Sequence, residues 1–278
     1  MIPSIIILTY NSSRVIRNTI SSALRLSDDI SVVDSLSDDQ TEEILKEFPV
    51  HVIEREFTNY GEQRNWAIKN LTLKYPWQLH LDADERIDDV LLAEIKNINI
   101  DSNPSVSGFI MRRQTMFLGR HLKHGGYSST WHLRLFHGTA GHCEERLYDQ
   151  HFYVDGDLKC LNGYLIDDQQ DTIGEWIAKH NRWADLEVEE ILRKKKTGRI
   201  EGSLFGNKIE RVRLFRELYY CLPLFIRPIL FFIYRYFVKC GFLDGRIGLV
   251  YCFLHTIIYR FLIDAKIYES KLTKKEDG

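Results

Sequence analysis

The stretch "WQLHLDADER", Trp77 to Arg86, decides how this chain is read. Trp77 to Leu81 predict a buried strand, and four charged residues follow at once: Asp82, Asp84, Glu85 and Arg86. Alternation along an extended backbone places Asp82 and Asp84 on one side. Two hard oxygen donors there suit Mg²⁺ or Mn²⁺, which in turn bind phosphates. A solvated turn reads D-x-D equally well, so the surrounding sequence has to decide.

Upstream, Ser4-Ile5-Ile6-Ile7-Leu8 is a continuous β-branched run, the pattern of a strand covered on both faces. From Ser13 the spacing becomes helical through Ile16, Ile20, Ala23 and Leu24. Ile30 to Val33 predict a second strand ending at Asp34. Ser37-Asp38-Asp39-Gln40 has the form of a capping box opening a helix through Ile44 and Leu45. Val50 to Ile53 predict a third strand and Gly61 to Asn70 a third helix. Four alternations within about 100 residues argue a parallel sheet flanked by helices. Ligands bind such sheets at the carboxyl ends of the strands. Three polar clusters fall there, at Thr9-Tyr10-Asn11, at Asp34 and at Asp82-Ala83-Asp84, and they are expected to share one rim.

Composition narrows the class. The chain has 278 residues, 44% of them hydrophobic, enough for one sizeable core. A formal charge of −2 offers no global attraction to nucleic acid. The five cysteines are widely spaced, and Met1-Ile2-Pro3 opens no signal-like segment, so a reducing, cytoplasmic compartment is expected.

Beyond residue 100 the alternation stops. Gly108 to Arg113, Trp131 to Phe136 and Tyr164 to Ile166 predict strands, and Gly119 to Thr130 a Gly- and His-rich loop. A long helix is expected from Thr172 to Lys195, ending in the basic run Arg193 to Lys196, with Trp176 and Trp183 at core spacing. His121, His124, His132, His137 and His142 crowd one region but lack zinc-site spacing, which favours acceptor-lining or solvated roles. Asp167-Asp168 reads as a strand end. In the tail, Lys208, Arg211, Arg213, Arg216, Arg227, Arg235 and Lys239 interleave with many aromatics. Pro223, Arg227 and Pro228 break the first apolar run, so helices lying in the headgroup region are expected, with their bases on anionic lipid. The alternative is a helical subdomain that packs these aromatics as core.

Four ordered motifs, "SIIILTYNSS", "ISVVDSLSDD", "NYGEQRNWAI" and "LHLDADERI", resemble those of family 2 glycosyltransferases with the GT-A fold. Within that family the chain is most similar to bacterial lipopolysaccharide-core glucosyltransferases. Weaker similarity runs through "LGRHLKHGGY", "WHLRLFHG", "KHNRWADLE" and "GFLDGRIG". The resemblance implies a Rossmann-like, mostly parallel sheet in residues 1–200, while the membrane-associating helical region expected in 201–278 rests on the basic-aromatic pattern of the tail. The resemblance also implies transfer of a hexose, with inversion, from a nucleotide sugar (commonly UDP-linked) to a lipid-linked saccharide at the cytoplasmic face of the inner membrane. By position, Thr9, Tyr10 and Asn11 would line the base pocket and Asp34 would bind base or ribose. Gly61, Gln63, Arg64 and Asn65 would lie beside the nucleotide, with Arg64 the charged contact. Asp82 would approach ribose or metal, and Asp84 would ligate Mg²⁺ or Mn²⁺. In "GHCEERLYDQ" the family's catalytic base falls at Glu145, but Glu144 stands where the family has histidine, so both glutamates stay candidates.

Two other readings compete. A haloacid-dehalogenase-like phosphotransferase also uses D-x-D after a strand, but resembles D-x-D-x-[TV], whereas the fifth position here is Arg86. A non-catalytic membrane scaffold with a degenerate transferase domain is the other, against which Asp82, Asp84 and Arg64 count.

Overall fold

Ile5, Ile6 and Ile7 are fully buried because their strand, β1 (Ser4–Thr9), runs through the middle of a sheet covered on both faces. The structure is a computed structural model describing residues 1–101, 104–193 and 200–276. Ile5 and Ile7 pack in one core with Ile16, Ile20 and Ala23 of α1 (Ile16–Leu24). Burying each such side chain is worth about 1.5–3 kcal/mol. There follow β2 (Ile30–Asp34), α2 (Thr41–Leu45), β3 (His51–Glu54), α3 (Tyr60–Asn70) and β4 (Trp77–Asp82). Ile6, facing the other way, packs with Val33 and with Ala67 of α3.

The chain continues through β5 (Glu85–Ile87), α4 (Asp89–Lys96), β6 (Val106–Phe117), β7 (Arg120–His121) and β8 (Thr130–His137). Then come β9 (Gly141–Cys143), β10 (Phe152–Val154) and β11 (Asp157–Asp167). The main strand order is β3-β2-β1-β4-β8-β6-β11-β5, and β9 pairs with β10 as a separate hairpin. β1, β2, β3 and β4 are parallel, as expected. The rest of the sheet corrects the mostly parallel expectation. β8 is antiparallel to both β4 and β6, and β5 to β11, so the sheet is mixed.

The register of the parallel half builds the rim. Thr9 lies beside Asp34, Leu8 beside Asp82, and Asp34 beside Glu54. The capping box read at Ser37 and Gln40 does not form. Gln40 makes no side-chain cap, and the Ser37 hydroxyl donates to Asp34 at 2.6 Å instead. A nearby carboxylate is a stronger acceptor partner than a neutral amide.

A second compact unit comprises Phe117–Ser128, Arg146–Asp149 and the chain from Asp171 onward. It holds α5 (Ile173–Leu192), α6 (Lys208–Cys221), α7 (Ile226–Ile233), α8 (Gly245–Cys252) and α9 (Tyr259–Glu276). Short π-helical segments, Tyr234–Val238 and Phe253–Ile258, extend α7 and join α8 to α9. Thr172 and Glu175 form a full capping box at the start of α5. Lys194 to Lys196, the bulk of the expected basic run, lie outside the described residues. The helical unit begins ahead of the division expected at residue 200, because Trp176, Ala184 and Val188 of α5 share a core with Tyr259, Ile263 and Ile267 of α9.

The tail's bases are not disposed as expected. Arg213 and Arg216 bind Asp149, and Arg216 also binds Glu187. Arg227 bonds Asp264 through Nε at 2.8 Å, and Arg235 donates to the Gly125 carbonyl at 2.6 Å. Four of the seven bases assigned to lipid are thus engaged within the unit, and two of them, Arg216 and Arg227, pair buried acids, Glu187 and Asp264, whose burial is tolerable only when they are paired.

Candidate active site

Three consecutive residues of α3 organise the rim. A helix turns about 100° per residue, so Gln63, Arg64 and Asn65 point three ways. The wholly buried Gln63 accepts from Arg55 and donates to the Ser35 hydroxyl at 3.4 Å. Arg64 donates to Asp82 Oδ1 at 2.8 Å, and its guanidinium lies 5.0 Å from the Phe152 ring centroid. Asn65 bonds both backbone groups of Cys143, at 2.8 and 2.9 Å, tying β9 to the helix. Asn59 caps α3 by accepting from the Glu62 backbone N–H at 2.9 Å, and Gly61 is buried in its first turn.

Asp82 closes β4 between two arginines. Its second oxygen accepts from Arg134 Nη2 at 2.6 Å, and the same nitrogen donates to Glu85 Oε1 at 2.7 Å. Two carboxylates and two guanidiniums therefore balance in a cluster buried at Arg134 and Glu85 and open to solvent at Asp82. Burial opposes ionisation of Asp82, but Arg134 and Arg64 together hold its carboxyl far below the usual carboxylate range. Burial pushes the Glu85 carboxyl up. Arg134 and Glu85 were not among the site residues expected. A signal existed, since an arginine inside the apolar run Leu133-Arg134-Leu135-Phe136 needs a buried partner.

The extended alternation that would align Asp82 with Asp84 stops at Asp82. Ala83 and Asp84 form a turn, and Asp84 lines a small crevice with Asn18, Arg86 and Asp168. Among the described residues no group of three His, Cys, Asp or Glu side chains could enclose a metal. The donor chemistry still suits a hard cation that takes one or two carboxylates and completes its shell with phosphate and water. Asp82 enters that role with both oxygens already engaged, by Arg64 and Arg134.

On the other side of β1, Asp34 is buried and its carboxylate accepts from the Ser37 backbone N–H at 2.8 Å as well as from its hydroxyl. Asn11, at φ +46°, secures the same loop by donating to Asp38 at 2.6 Å and accepting from its backbone N–H at 2.9 Å. Tyr10 is exposed beside it. The Thr9 hydroxyl is buried with no hydrogen-bond partner among the described residues, an orphan that a bound ligand can satisfy.

The two glutamates after β9 part company. Glu144 is fully buried and accepts from the His151 backbone N–H at 3.0 Å, closing the 144–151 loop, whereas Glu145 is exposed. The five histidines also scatter. His124 pairs with Asp244 at 2.8 Å, His121 with Ser128, His137 with Thr139, and His142 stacks on Tyr153. His132, half-buried and stacked 6.0 Å from His151, has its pKa driven well below the ordinary value by burial and then by Arg113 and Arg134.

That neutral imidazole predicts acid sensitivity. The unfolded chain protonates His132 below about 6.5 while the folded chain resists. The stability due to the neutral form is therefore complete above about 6.5 and declines as pH falls further, by up to about 1.4 kcal/mol per pH unit. Denaturant melts between pH 7 and 5 should show this decline, to which His80 and His180, also lowered by burial, contribute with the same sign, and His132→Gln should remove its share of the slope. An unchanged slope in the variant would refute the assignment.

The model of a family described as glycosyl transferase family 2 matches residues 4–153. The chain is similar to an uncharacterized glycosyltransferase of Rickettsia prowazekii, 27% identical over 97% of this chain and 87% of the relative. It is also similar to the lipopolysaccharide core biosynthesis glycosyltransferase LpsC of Rhizobium meliloti, 23% identical over 88% of this chain and 84% of the relative. Among solved structures, the mannosyltransferase PcManGT from Pyrobaculum calidifontis, in complex with GDP-Man and Mn²⁺, matches with a TM-score of 0.50. The match is 15% identical over 95% of this chain and 85% of that one, a likeness of fold alone.

Proposed function

Because the chain belongs to glycosyl transferase family 2 and has the GT-A fold, we propose that it is a metal-dependent, inverting hexosyltransferase. Its donor is a nucleotide sugar, UDP-linked, and its acceptor a hydroxyl of a lipid-linked saccharide. Family membership displaces the dehalogenase-like alternative. The observation that carries the reading is the register of β1, β2 and β4, which gathers Thr9, Asp34 and Asp82 at one rim beside Arg64. The name of LpsC, a relative over most of the chain, supports a saccharide acceptor.

In this reading the nucleoside sits at the β1–β2 ends, where the orphan Thr9 hydroxyl finds a partner and Tyr10 offers an aromatic face. Asn11 and Asp34 keep the loop beneath it closed, and Gly61 and Gln63 leave room on α3. Asp84, with Asp82 alongside, would hold a Mg²⁺ or Mn²⁺, which when bound would supply positive charge for the leaving diphosphate. Arg64, oriented by Asp82, adds to that charge from the protein. Glu145 takes the acceptor hydroxyl's proton. The hydroxyl oxygen bonds the anomeric carbon from the opposite face as the carbon–oxygen bond to the diphosphate breaks, and the diphosphate leaves with the electron pair. Glu144, buried and committed to His151, positions the segment that carries Glu145.

A thermal-shift panel of nucleotide sugars with and without Mn²⁺ tests the donor site. Asp84→Ala is expected to abolish the Mn²⁺-dependent part of UDP binding in protein that still melts cooperatively without ligand, because the change removes a part-buried turn side chain and not a core one. UDP affinity unaltered in the presence of Mn²⁺ would remove Asp84 from the site.

A further inference from the structure

Around α7 and the Gly241–Thr273 helix, the helical unit carries charge inside and apolar side chains outside. Glu187 is wholly buried and accepts from Tyr259 and Arg216 at 2.6 Å and from Arg260 at 2.8 Å. Asp264, also wholly buried, holds Arg227 and the Phe225 backbone N–H. The outward faces are the reverse. Along α7 and its π-helical extension, Ile226, Ile229, Leu230, Ile233, Phe237 and Val238 are exposed, all at helical spacing on one stripe. A second stripe, Phe242, Leu249, Val250, Phe253, Ile258 and Phe261, follows the apolar Gly241–Thr273 helix. The two helices touch, with Phe232 against Phe253 at 6.4 Å and Phe225 against Phe261 at 5.1 Å.

Charge singles out the occupant. Between Glu217 and Glu269 no acid is exposed, and Lys239 and Arg246 are the exposed bases, both beside the turn that joins the helices. Soluble monomers rarely leave such continuous apolar area open. Apolar exteriors over internally paired charges are what a hydrocarbon solvent selects. A second copy of the chain paired on these stripes would offer Lys239 and Arg246 no acid, whereas lipid headgroups offer phosphates. Each helix has one apolar stripe and an opposite face committed to the unit's own core, which suits lying within one leaflet.

We infer that the two stripes insert together into the acyl region of one bilayer leaflet, with Lys239 and Arg246 at the headgroup phosphates. The attachment is apolar first and electrostatic second, the reverse of an anionic-surface contact through the tail's arginines. It stands independently of the transferase reading, because vesicle binding needs neither nucleotide nor catalysis. The test is co-sedimentation of the full chain with vesicles of phosphatidylcholine alone, or mixed with phosphatidylglycerol at roughly 3:1, at about 0.1 and 1 M NaCl. Binding to both vesicle types is expected, with less than about threefold loss in high salt on the neutral ones. Ile229→Glu with Ile233→Glu should lower vesicle affinity by roughly 100-fold. A Phe237→Trp variant leaves the stripe apolar and adds a fluorophore to the five tryptophans already present. Lipids brominated along the acyl chain should quench that added emission. Binding confined to anionic vesicles and lost in 1 M salt would overturn the inference. So would quenching no greater than that of the unsubstituted chain in pelleted protein, or a solution dimer that the double variant dissociates while vesicles stay unbound.

Discussion

Glu145→Gln is expected to lower glycosyl transfer by roughly 10²–10⁴-fold, the usual worth of a general base, while nucleotide-sugar affinity stays within about twofold. The separation arises because a proton acceptor acts on the acceptor hydroxyl and takes no part in holding the donor. Glutamine keeps the size and polarity of the side chain, and Glu145 is exposed, so the fold has no reason to respond. Glu144→Gln is the instructive contrast. Glu144 is buried and accepts from the His151 backbone N–H, a bond that glutamine can keep through its carbonyl oxygen. A modest loss of activity, with a lower melting temperature, is expected there. Steady-state rates and donor affinities of both variants settle the roles. Were Glu144→Gln inactive and Glu145→Gln near wild type, the base would be the buried residue.

Arg134→Met should destabilise the sheet-bearing unit by about 3–5 kcal/mol in urea titrations at pH 7. Methionine fills much of the space but strips the partner shared by Asp82 and Glu85. Asp82 keeps Arg64, at 2.8 Å, and among the described residues Glu85 keeps the Asp82 backbone N–H, at 3.0 Å, with Arg113 acting at longer range. An uncompensated buried carboxylate then protonates more readily. Burial already pushes Glu85 upward, so protonation relieves the variant as pH falls, and its deficit relative to wild type should shrink between pH 7 and 5. Adding Glu85→Gln should restore part of the loss at pH 7. A deficit below about 1 kcal/mol would mean that water reaches the cluster and screens it.

The parallel half of the fold was legible because its signals are local. Ile5 to Ile7 are apolar on both faces, and the returns through Ile16, Ile20 and Ala23 have the period of a helix. Once those strands are parallel, Thr9, Asp34 and Asp82 must meet at one edge, and Arg64 on the third helix arrives with them. Less was legible where one residue had two equally local options. Ser37 could cap a helix or serve Asp34, and it serves Asp34. The short strand Glu85–Ile87 and the helix Asp89–Lys96 were hidden behind a cluster of charge that reads as loop. Asp84 was placed by strand alternation, and a turn at Ala83 ended that alternation.

The sequence by itself determined that the first strands run parallel and that Thr9, Asp34 and Asp82 meet at one rim, since hydrophobic period and parallel topology leave few alternatives. Tertiary structure decided the partners of the charges. Arg134 is 52 residues from Asp82 in the chain, and only the antiparallel placement of β8 beside β4 brings the two within 2.6 Å. It likewise separated Glu144 from Glu145 and turned the tail's arginines onto Asp149, Glu187 and Asp264, leaving its isoleucines and phenylalanines outside. Hydrophobic spacing is written along the chain, but a charge is satisfied by whichever opposite charge the packing brings near. In a dry interior that choice is enforced by the cost of leaving it unpaired.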